Sequence, residues 1–365
     1  MPARIISIGT AVPQTRLRQE ELSAFFAKQP DTSRLTKRLI SAVFEAAAIS
    51  TRHTVLPGLA GEPDGDFITN DGVLLAPSTG LRNNLYRQAA PELASEAVRA
   101  ALTEGEVSPA QVTHLITVSC TGFFAPGIDY RLIRDLDLPT SVERANLGFI
   151  GCAAALPALR LASQITSARP DAVVLVACVE LCSLHIRKSS DPEQIVAASV
   201  FADGAAAALV TADGSVGPKG GIALTRFATA LTDEGEADMA WTIGDEGFHM
   251  RLSAEVPRIV GREVRSAVDH LLQQDDPPRV WAVHPGGRSV LDRVEKGLGL
   301  EPHALDASRT VLRDYGNMSS ATILFILRRL LHDPTVIGPI ATLAFGPGLT
   351  VESALMEKTR ADGQN

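Results

Sequence analysis

The stretch AVVLVACV at positions 172–179 decides the fold class of this chain. Its eight uncharged residues, half of them Val, lie between Asp171 and Glu180. A continuous apolar run of this length is typical of a strand that is buried on both faces of a sheet. Similar short runs predict further strands at 5–12, 115–120, 205–210, 280–283 and 341–345.

Segments with helical apolar spacing lie between these strands. In one of them the apolar residues run from Leu93 to Leu102, and we expect this helix to follow Pro91. A second segment covers residues 256–272 and ends before Pro277. Helices that alternate with buried strands predict an α/β fold in which helix layers cover sheets.

The Gly- and Pro-rich stretch TADGSVGPKGG at 211–221 is the candidate domain boundary. It follows a complete series of strand and helix patterns, and 365 residues are enough for two domains of ordinary size. We therefore expect an N-terminal half at 1–215 and a C-terminal half at 216–365.

The composition excludes several classes of protein. The chain has 34 Lys and Arg against 42 Asp and Glu, a net charge of −8, and it has no basic block, which argues against a nucleic-acid partner. Its four cysteines are too few for a disulfide framework, and without a C-x-x-C pair or zinc-ligand spacing they predict no metal site. Apolar stretches are interrupted and the N-terminus lacks a signal-peptide pattern. We therefore expect no membrane span and a cytoplasmic location.

The motif NLGFIGC at 146–152 is the strongest local indication of chemistry. Two glycines lead into Cys152, and small residues with helical apolar spacing follow it. The pattern places Cys152 at the N-terminus of a buried helix, where the helix dipole favours the thiolate, a strong nucleophile toward a thioester. A small buried Cys at a tight turn is the alternative.

Two other residues have contexts that suit a nucleophilic cysteine. His284 follows the predicted strand at 280–283 and precedes a pair of glycines, which is where α/β sheets place reacting groups. Asn317 precedes an apolar helical pattern, and its amide could donate to a developing oxyanion. Each also has an ordinary interpretation, a turn histidine for His284 and a helix cap for Asn317.

The order Cys152, His284, Asn317 resembles the Cys-His-Asn triad of the type III polyketide synthases, the chalcone synthase-like family. The resemblance extends from about residue 5 to residue 355, and four motifs support it: VHPGG (283–287), YGNMSS (315–320), FGPGLTVE (345–352) and FADGAAA (201–207). It implies a thiolase-like fold, with two related α/β halves, buried sheets and covering helix layers. Departures from the plant sequences favour the bacterial branch of the family.

The resemblance implies a decarboxylating condensation. An acyl-CoA starter loads Cys152, and malonyl-CoA then loses CO₂ to give an enolate that His284 and Asn317 stabilise. The enolate attacks the acyl thioester, and an alkylpyrone or alkylresorcinol is the implied type of product. Because loss of CO₂ drives carbon–carbon bond formation, no metal and no redox cofactor are implied.

Several further positions match cavity residues of the family. Phe201 corresponds to a gatekeeper aromatic, and Met250 falls where plant members carry a second gatekeeper Phe. Cys120, Cys182 and His185 occupy positions that bear hydroxyl residues in the plant enzymes, which implies a different cavity and a different substrate. Phe201 and Cys120 would equally suit ordinary core positions.

The CoA thioesters and a second subunit are the implied partners. CoA phosphates need cationic contacts, and Lys37, Arg38 and Arg288 are the nearest matches, although surface ion pairs are the alternative for all three. A homodimer is implied as well. Ala125 stands where many members have a Met that reaches across the dimer interface, so we expect a reduced contact between the subunits.

Other functions would use a similar arrangement of residues. A ketoacyl synthase III-like enzyme would stop after one condensation, but such enzymes usually carry a His-Gln-Ala-Asn segment where this chain has HPGG at 284–287. A hydroxymethylglutaryl-CoA synthase-like enzyme would also need a catalytic Glu, and the sequence alone assigns none. A non-catalytic acyl-CoA-binding or dimer-partner subunit needs none of Cys152, His284 and Asn317, so their joint presence favours an enzyme.

Overall fold

The computed structural model describes residues 2–62 and 64–359. The strands are β1 (Arg4–Ala11), β2 (Thr15–Arg18), β3 (Thr51–Thr54), β4 (His114–Ser119), β5 (Glu143–Gly148), β6 (Val173–Leu181), β7 (Asp203–Thr211), β8 (Gly221–Leu231), β9 (Met239–Gly244), β10 (Gly247–Leu252), β11 (Val280–Val283), β12 (Gly338–Gly346) and β13 (Thr350–Thr359). The helices are α1 (Gln19–Ala27), α2 (Arg34–Ala46), α3 (Thr79–Glu104), α4 (Ile128–Asp135), α5 (Ala155–Ala168), α6 (Pro192–Val200), α7 (Val256–Leu272), α8 (Arg288–Leu298), α9 (Asp306–Tyr315) and α10 (Thr322–His332). The predicted strands are all present, with ends that differ by a few residues.

A mixed sheet of nine strands has the order β11-β12-β13-β8-β1-β7-β6-β4-β5. Strand β1 pairs antiparallel with β7 on one side and with β8 on the other, so Arg4 lies opposite both Thr211 and Ala223. The glycine-rich stretch at 211–221 connects β7 to β8, and the Arg4 guanidinium donates to four of its carbonyls. One strand therefore joins the N-terminal and the C-terminal parts of the sheet.

Strand β6 explains why the run at 172–179 is continuously apolar. All nine of its residues are buried. Val173, Leu175 and alternate residues pack with α3, while Val174, Val176 and the residues between pack with α5 and α10 on the opposite face. A strand covered by helices on both faces has no solvent-facing positions, as the sequence predicts.

The predicted helix start after Pro91 is wrong, because α3 begins at Thr79 and carries Pro91 in its interior. Proline cannot donate the hydrogen bond to the carbonyl four residues earlier, which normally favours a helix start or a break. Tyr86 and Ala90, which precede Pro91, are fully buried in the same core as Leu93. Packing of this first half of α3 offsets the missing hydrogen bond.

Membrane insertion has no support from the helices. Within residues 2–62 and 64–359, none of them is both long enough and apolar enough to cross a bilayer.

Substitution of Gly9 tests the close packing of β1 against α3. A Cβ at Gly9 would clash with the backbone of α3 at Ala97 and Ala101. Because backbone cannot move aside as a side chain can, we expect Gly9→Ala to lower the free energy of unfolding by about 1–3 kcal/mol or more, measured by denaturant titration. Gly80→Ala is the matched control, since a Cβ there lies no closer than 3.8 Å to its nearest neighbour. Equal stability of the two variants would contradict the packing argument.

Candidate active site

Cys152 lies where two cavities meet. We name them the Trp241 cavity and the His284 cavity, each after a residue of its lining. Their shared wall is made by Cys152, Phe201, Met239 and Met250. A group bound to the Cys152 sulfur therefore has access to both spaces.

A sharp bend in the backbone places Cys152 at this junction. Phe149 and Gly151, between β5 and α5, have positive φ angles of 59° and 72°. Gly151 also lies against Pro347, which a Cβ would hit. Both conditions require glycine at position 151. The chain then forms a short 3-10 turn at Gly151–Ala153 before α5 begins at Ala155.

The predicted lowering of the Cys152 pKa is wrong. Burial raises the pKa of the Cys152 thiol to about 11, and the carboxylate of Glu180 adds to this, while hydrogen bonds from Ser319 and then Asn317 oppose it. The 3-10 turn separates Cys152 from the first turn of α5, so desolvation outweighs the helix dipole. Burial raises the pKa of Cys178 further still.

His284 lies at the carboxyl end of β11, as predicted. Its backbone N–H donates to Leu343 O at 2.8 Å, and its side chain is buried. Neither ring nitrogen has a hydrogen-bond partner among the described residues, so no hydrogen bond joins it to Cys152. Burial lowers the pKa of His284 to about 3, so the imidazole is neutral at neutral pH. Such a ring is a free donor or acceptor for a ligand in the His284 cavity.

Asn317 caps the next turn, which is one of the two interpretations that its sequence context allows. Its Oδ1 accepts a hydrogen bond from the Ser319 N–H at 2.9 Å, which caps the next turn. Its side chain also interacts with Cys152. The Asn317 backbone is held on both sides, because its N–H donates to Val200 O at 2.9 Å and its carbonyl accepts from Ala202 N at 2.8 Å.

Arg52 fixes the end of α6 beside Asn317, and sequence reasoning missed it. The buried guanidinium donates to the carbonyls of Ala198 (2.9 Å), Ser199 (2.8 Å) and Phe201 (2.6 Å). Its remaining donors bind the side chain of Gln19. These contacts satisfy carbonyls that would otherwise lack partners at a helix C-terminus. Nothing in the local pattern of β3 distinguishes Arg52 from a surface arginine.

Glu180 was also missed, although it stands next to the run that decides the fold. It lies inside β6 and is fully buried, with hydrogen bonds from Ser320 Oγ (2.6 Å), Thr121 Oγ1 (2.9 Å) and Cys120 N (3.0 Å). Burial raises the pKa of Glu180, and the Ser320 hydrogen bond opposes this. The sequence did carry a signal for Glu180, since it is a single charged residue directly after an apolar run.

The predicted cavity residues Cys120, Cys182 and His185 all line the Trp241 cavity. His185 Nε2 donates to Thr121 O at 2.7 Å, and Nδ1 accepts from Phe248 N at 3.0 Å. Its ring stacks on Phe248 with 4.3 Å between centroids. Burial lowers the pKa of His185 to about 3. With both nitrogens engaged, this neutral ring supports the cavity wall.

The predicted CoA cations are only partly brought together. Arg288 lines the His284 cavity, whereas Lys37 and Arg38 are exposed on α2 and line neither cavity. Arg258 and Arg293, which sequence reasoning missed, line the His284 cavity beside Arg288. Among the described residues, no group of three or more His, Cys, Asp or Glu side chains is arranged to hold a metal ion.

Solved structures with the same architecture identify the class of protein. The C-terminal type III polyketide synthase domain of Steely1, a type I/III hybrid from Dictyostelium, matches with a TM-score of 0.91 and 28% identity, over 99% of this chain and 100% of that one. PKS-I from the brown alga Ectocarpus siliculosus matches with a TM-score of 0.91 and 29% identity, over 98% of each chain. The thiolase-like fold is confirmed, and the class is a polyketide synthase.

The family follows from matches along the sequence. The N-terminal domain of chalcone and stilbene synthases matches residues 1–214, and their C-terminal domain matches residues 224–359. The chain therefore belongs to the chalcone and stilbene synthase family of type III polyketide synthases, which are condensing enzymes of the acyltransferase type.

Three curated proteins are similar over nearly the whole chain. Bisdemethoxycurcumin synthase of Oryza sativa subsp. japonica is 33% identical over 98% of this chain and 92% of its own length. The 3,5-dihydroxyphenylacetyl-CoA synthase of Streptomyces toyocaensis is 32% identical over 97% of this chain and 90% of its own length. Probable polyketide synthase 1 of Dictyostelium discoideum is 29% identical over 97% of this chain, which spans 11% of that protein's length.

Alkylation of Cys152 tests the raised pKa. Because only the thiolate reacts with iodoacetamide, a pKa of about 11 predicts a rate that rises roughly tenfold per pH unit from pH 7 to pH 10. The rate is measured by mass spectrometry of the peptide containing Cys152, with the more deeply buried Cys178 as internal control. A plateau below pH 8 would show a lowered pKa and restore the helix-dipole interpretation.

Proposed function

We propose that Cys152, His284 and Asn317 perform a decarboxylative Claisen condensation of malonyl-CoA onto an acyl-CoA starter. The observation that carries the proposal is their shared position: all three line the His284 cavity, and the His284 ring nitrogens have no hydrogen-bond partner among the described residues. A buried polar group without a partner is rare, and a ligand oxygen in this cavity would supply one.

In the loading step, the Cys152 sulfur attacks the thioester carbonyl of the starter. The new carbon–sulfur bond replaces the bond to CoA, and the proton of the Cys152 thiol ends on the CoA sulfur. Since the pKa of Cys152 is about 11, this proton must leave during the attack, so a base is needed. The imidazole of His284 lines the same cavity and is the proposed proton acceptor; because burial holds its pKa near 3, its charged form has to be stabilised by the bound ligand before it can take the proton.

In the condensation step, the carbon–carboxylate bond of malonyl-CoA breaks and its electron pair forms an enolate. CO₂ leaves, and N–H groups of His284 and Asn317 donate to the enolate oxygen. The enolate carbon then attacks the acyl carbonyl on Cys152, and the Cys152 thiolate leaves. A neutral His284 suits this role because it retains one N–H donor at neutral pH.

The apolar wall at the junction favours loss of CO₂. Phe201, Met239 and Met250 surround the place where Cys152 faces both cavities. An apolar environment destabilises the charged malonyl carboxylate more than neutral CO₂. This supports Phe201 and Met250 as residues that separate the CoA side from the chain side.

We assign the CoA phosphates to Arg258, Arg288 and Arg293, in place of Lys37 and Arg38. These three arginines line the His284 cavity from α7 and α8. Arg258 is paired with Glu255 and Arg288 with Asp292, both within their own turn of helix, whereas Arg293 has no ion pair with a described residue. Guanidinium groups bind phosphates well because of their planar donor geometry.

An alkyl starter and an alkylpyrone or alkylresorcinol product suit the Trp241 cavity best. Most of its lining is apolar, with Ile186, Ala197, Ala198 and Phe248 among the contacts. A ketoacyl synthase III-like enzyme would give one condensation only, and a non-catalytic subunit would give none. Labelled malonyl-CoA with a panel of acyl-CoA starters separates these possibilities by the mass of the products.

A homodimer would cover an exposed edge of the sheet. Strand β5 is the last strand and pairs only with β4, and exposed aromatic side chains lie near it, with Phe123 54% and Phe149 42% exposed. Both rings pack on Phe248 of the Trp241 cavity wall, with centroids 6.2 and 5.8 Å apart. Light scattering should give twice the chain mass of 38.7 kDa, and a monomer would contradict this proposal.

Asn317→Ala separates the two half-reactions. We expect malonyl-CoA decarboxylation to fall by about 10²–10³, the usual cost of removing one oxyanion donor, while acyl loading of Cys152 changes little. His284→Ala should reduce both, because His284 is proposed as base and donor. Loading is followed by intact-protein mass and decarboxylation by labelled CO₂, with Asn84→Ala on the exposed face of α3 as control. Equal losses in both half-reactions for Asn317→Ala would contradict this division of roles.

Met250→Phe tests the starter preference. Gln194 Nε2 donates to Met250 O at 2.5 Å, so the backbone is held while the flexible thioether can move aside for an alkyl chain. We expect wild type to prefer medium or long acyl-CoA over coumaroyl-CoA, and the Phe variant to prefer shorter chains. Each matched methylene is worth up to ~0.8 kcal/mol. The measurement is kcat/KM from acetyl to palmitoyl starters, with Met250→Leu as volume-conserving control. Preference of wild type for coumaroyl-CoA would contradict the alkyl assignment.

A further inference from the structure

We propose that Arg187 binds the ketone oxygens that chain extension creates and thereby helps determine how many extensions are completed. The inference rests on the proposed function, because it needs an extended chain that is transferred from CoA back to Cys152 after each condensation, with the CoA thiol as the leaving group. It makes Arg187 a specificity-determining residue of the Trp241 cavity.

Arg187 is unusual in its surroundings. Among the described residues that line the Trp241 cavity, it is the one lysine or arginine, and most of the remaining lining is apolar. His185, which also lines the cavity, is neutral at neutral pH because burial lowers its pKa to about 3. Arg187 is therefore the cationic hydrogen-bond donor of this space.

One donor of Arg187 is left without a partner. Nη1 faces His249 Nδ1 at 3.0 Å, and Nη2 donates to Glu246 O at 3.1 Å. Nε is buried and has no hydrogen-bond partner among the described residues. Since buried donors are nearly always paired, an acceptor supplied by a ligand in the cavity that Arg187 lines would satisfy this N–H.

The other nitrogen-bearing side chains of the lining are already engaged. Trp241 Nε1 donates to Cys120 O at 2.6 Å, and Gln194 Nε2 uses one of its two uncharged N–H groups to donate to Met250 O at 2.5 Å. His185 uses both ring nitrogens in hydrogen bonds within the wall. A ligand oxygen in this cavity would therefore find its strongest available donor at Arg187.

The local charge also favours an oxygen-rich ligand. The buried guanidinium of Arg82 lies close enough to Arg187 for their repulsion to lower the Arg82 pKa, after the larger effect of burial. The carboxylate of Glu246 is the counter-charge that acts on both. Two guanidinium groups facing one carboxylate leave positive charge that an electronegative oxygen would stabilise.

The chemistry of extension identifies that oxygen. An alkyl starter on Cys152 has no acceptor beyond its thioester carbonyl. Each malonyl unit leaves one further ketone oxygen in the chain and lengthens it by two carbons. Arg187 can therefore distinguish an extended chain from a starter, and it should stabilise extended intermediates without affecting loading.

The test compares Arg187→Met with wild type on hexanoyl-CoA and malonyl-CoA. Products are quantified by mass spectrometry as the ratio of tetraketide to triketide, and loading as the rate of hexanoyl transfer to Cys152. We expect the ratio to fall about 10- to 100-fold, the range for loss of a hydrogen bond from a charged donor, with loading unchanged within twofold.

Two further variants make the result specific. Lys188→Met is the matched control, because Lys188 is the next cation in the chain but pairs with Asp31 and does not line the Trp241 cavity. It should keep the wild-type ratio. Arg187→Lys keeps the charge and loses Nε, and it should resemble Arg187→Met. If Arg187→Met does not fold, the ratio of tetraketide to triketide measured for Arg187→Lys tests the inference instead.

The outcomes separate this inference from the proposed function. An unchanged ratio in the Arg187 variants, or an equal loss of loading, overturns the inference alone. If Lys188→Met lowers the ratio of tetraketide to triketide as much as the Arg187 variants do, the inference is also overturned. The effect would then come from general surface charge. Wild type that loads hexanoyl but forms no condensation product overturns the proposed function and the inference together.

Discussion

Two backbone hydrogen bonds between Asn317 and the segment 200–202 are the contact on which the candidate site depends. They join the end of α6 to the loop before α10, and so bring together parts of the chain that are far apart in sequence. Each such bond contributes only about 1 kcal/mol net, so the contact needs support. Arg52 supplies it with five hydrogen bonds, three of them to carbonyls at the end of α6. Burial lowers the pKa of Arg52 to about 9, and the carboxylate of Asp203 opposes this. The guanidinium remains charged at neutral pH.

Burial keeps the reacting groups of the candidate site neutral. Burial holds Cys152 as a thiol and His284 as a free imidazole, with pKa values of about 11 and about 3. Forming the Cys152 thiolate at pH 7 would cost ~5 kcal/mol, since each pKa unit is worth 1.36 kcal/mol. Charge would therefore develop only when a ligand is bound and the proton can move to it or to a base. Fixed donors that face a water-poor cavity stabilise such developing charge better than they would in water.

The sequence predicts the main strands and helices well because buried elements have recognisable patterns of apolar residues. Strand β6 is apolar at every position except Glu180, and its sides are covered by α3 and by α5 with α10. The junction residue Cys152 was predictable because a bend that requires Gly151 precedes it. The buried positions of Arg52 and Glu180 could not be predicted, because a buried charge is stabilised by partners that are distant in sequence. The pKa of Cys152 was mispredicted for the same reason, since the depth of burial depends on the packing of the whole site. The cationic lining of the His284 cavity shows this limit too. Arg258 and Arg293 come from different helices that only the fold brings together.

The two cavities differ in the number of arginines in their linings, in a way that would orient a thioester. The His284 cavity has three arginines in its lining, whereas the Trp241 cavity has mainly apolar contacts and one cation. A CoA thioester is polar and anionic at one end and carries its acyl group at the other, so in the proposed binding mode the two ends would be stabilised on opposite sides of Cys152. A CoA thioester bound in the opposite orientation would place its phosphates among apolar side chains without enough hydrogen-bond partners. The free-energy cost of burying the phosphates would be far larger than that of misplacing an alkyl group. If the chain grows in the Trp241 cavity as proposed, its ketone oxygens would need hydrogen-bond donors there, and Arg187 is the one lysine or arginine among the described residues of that lining.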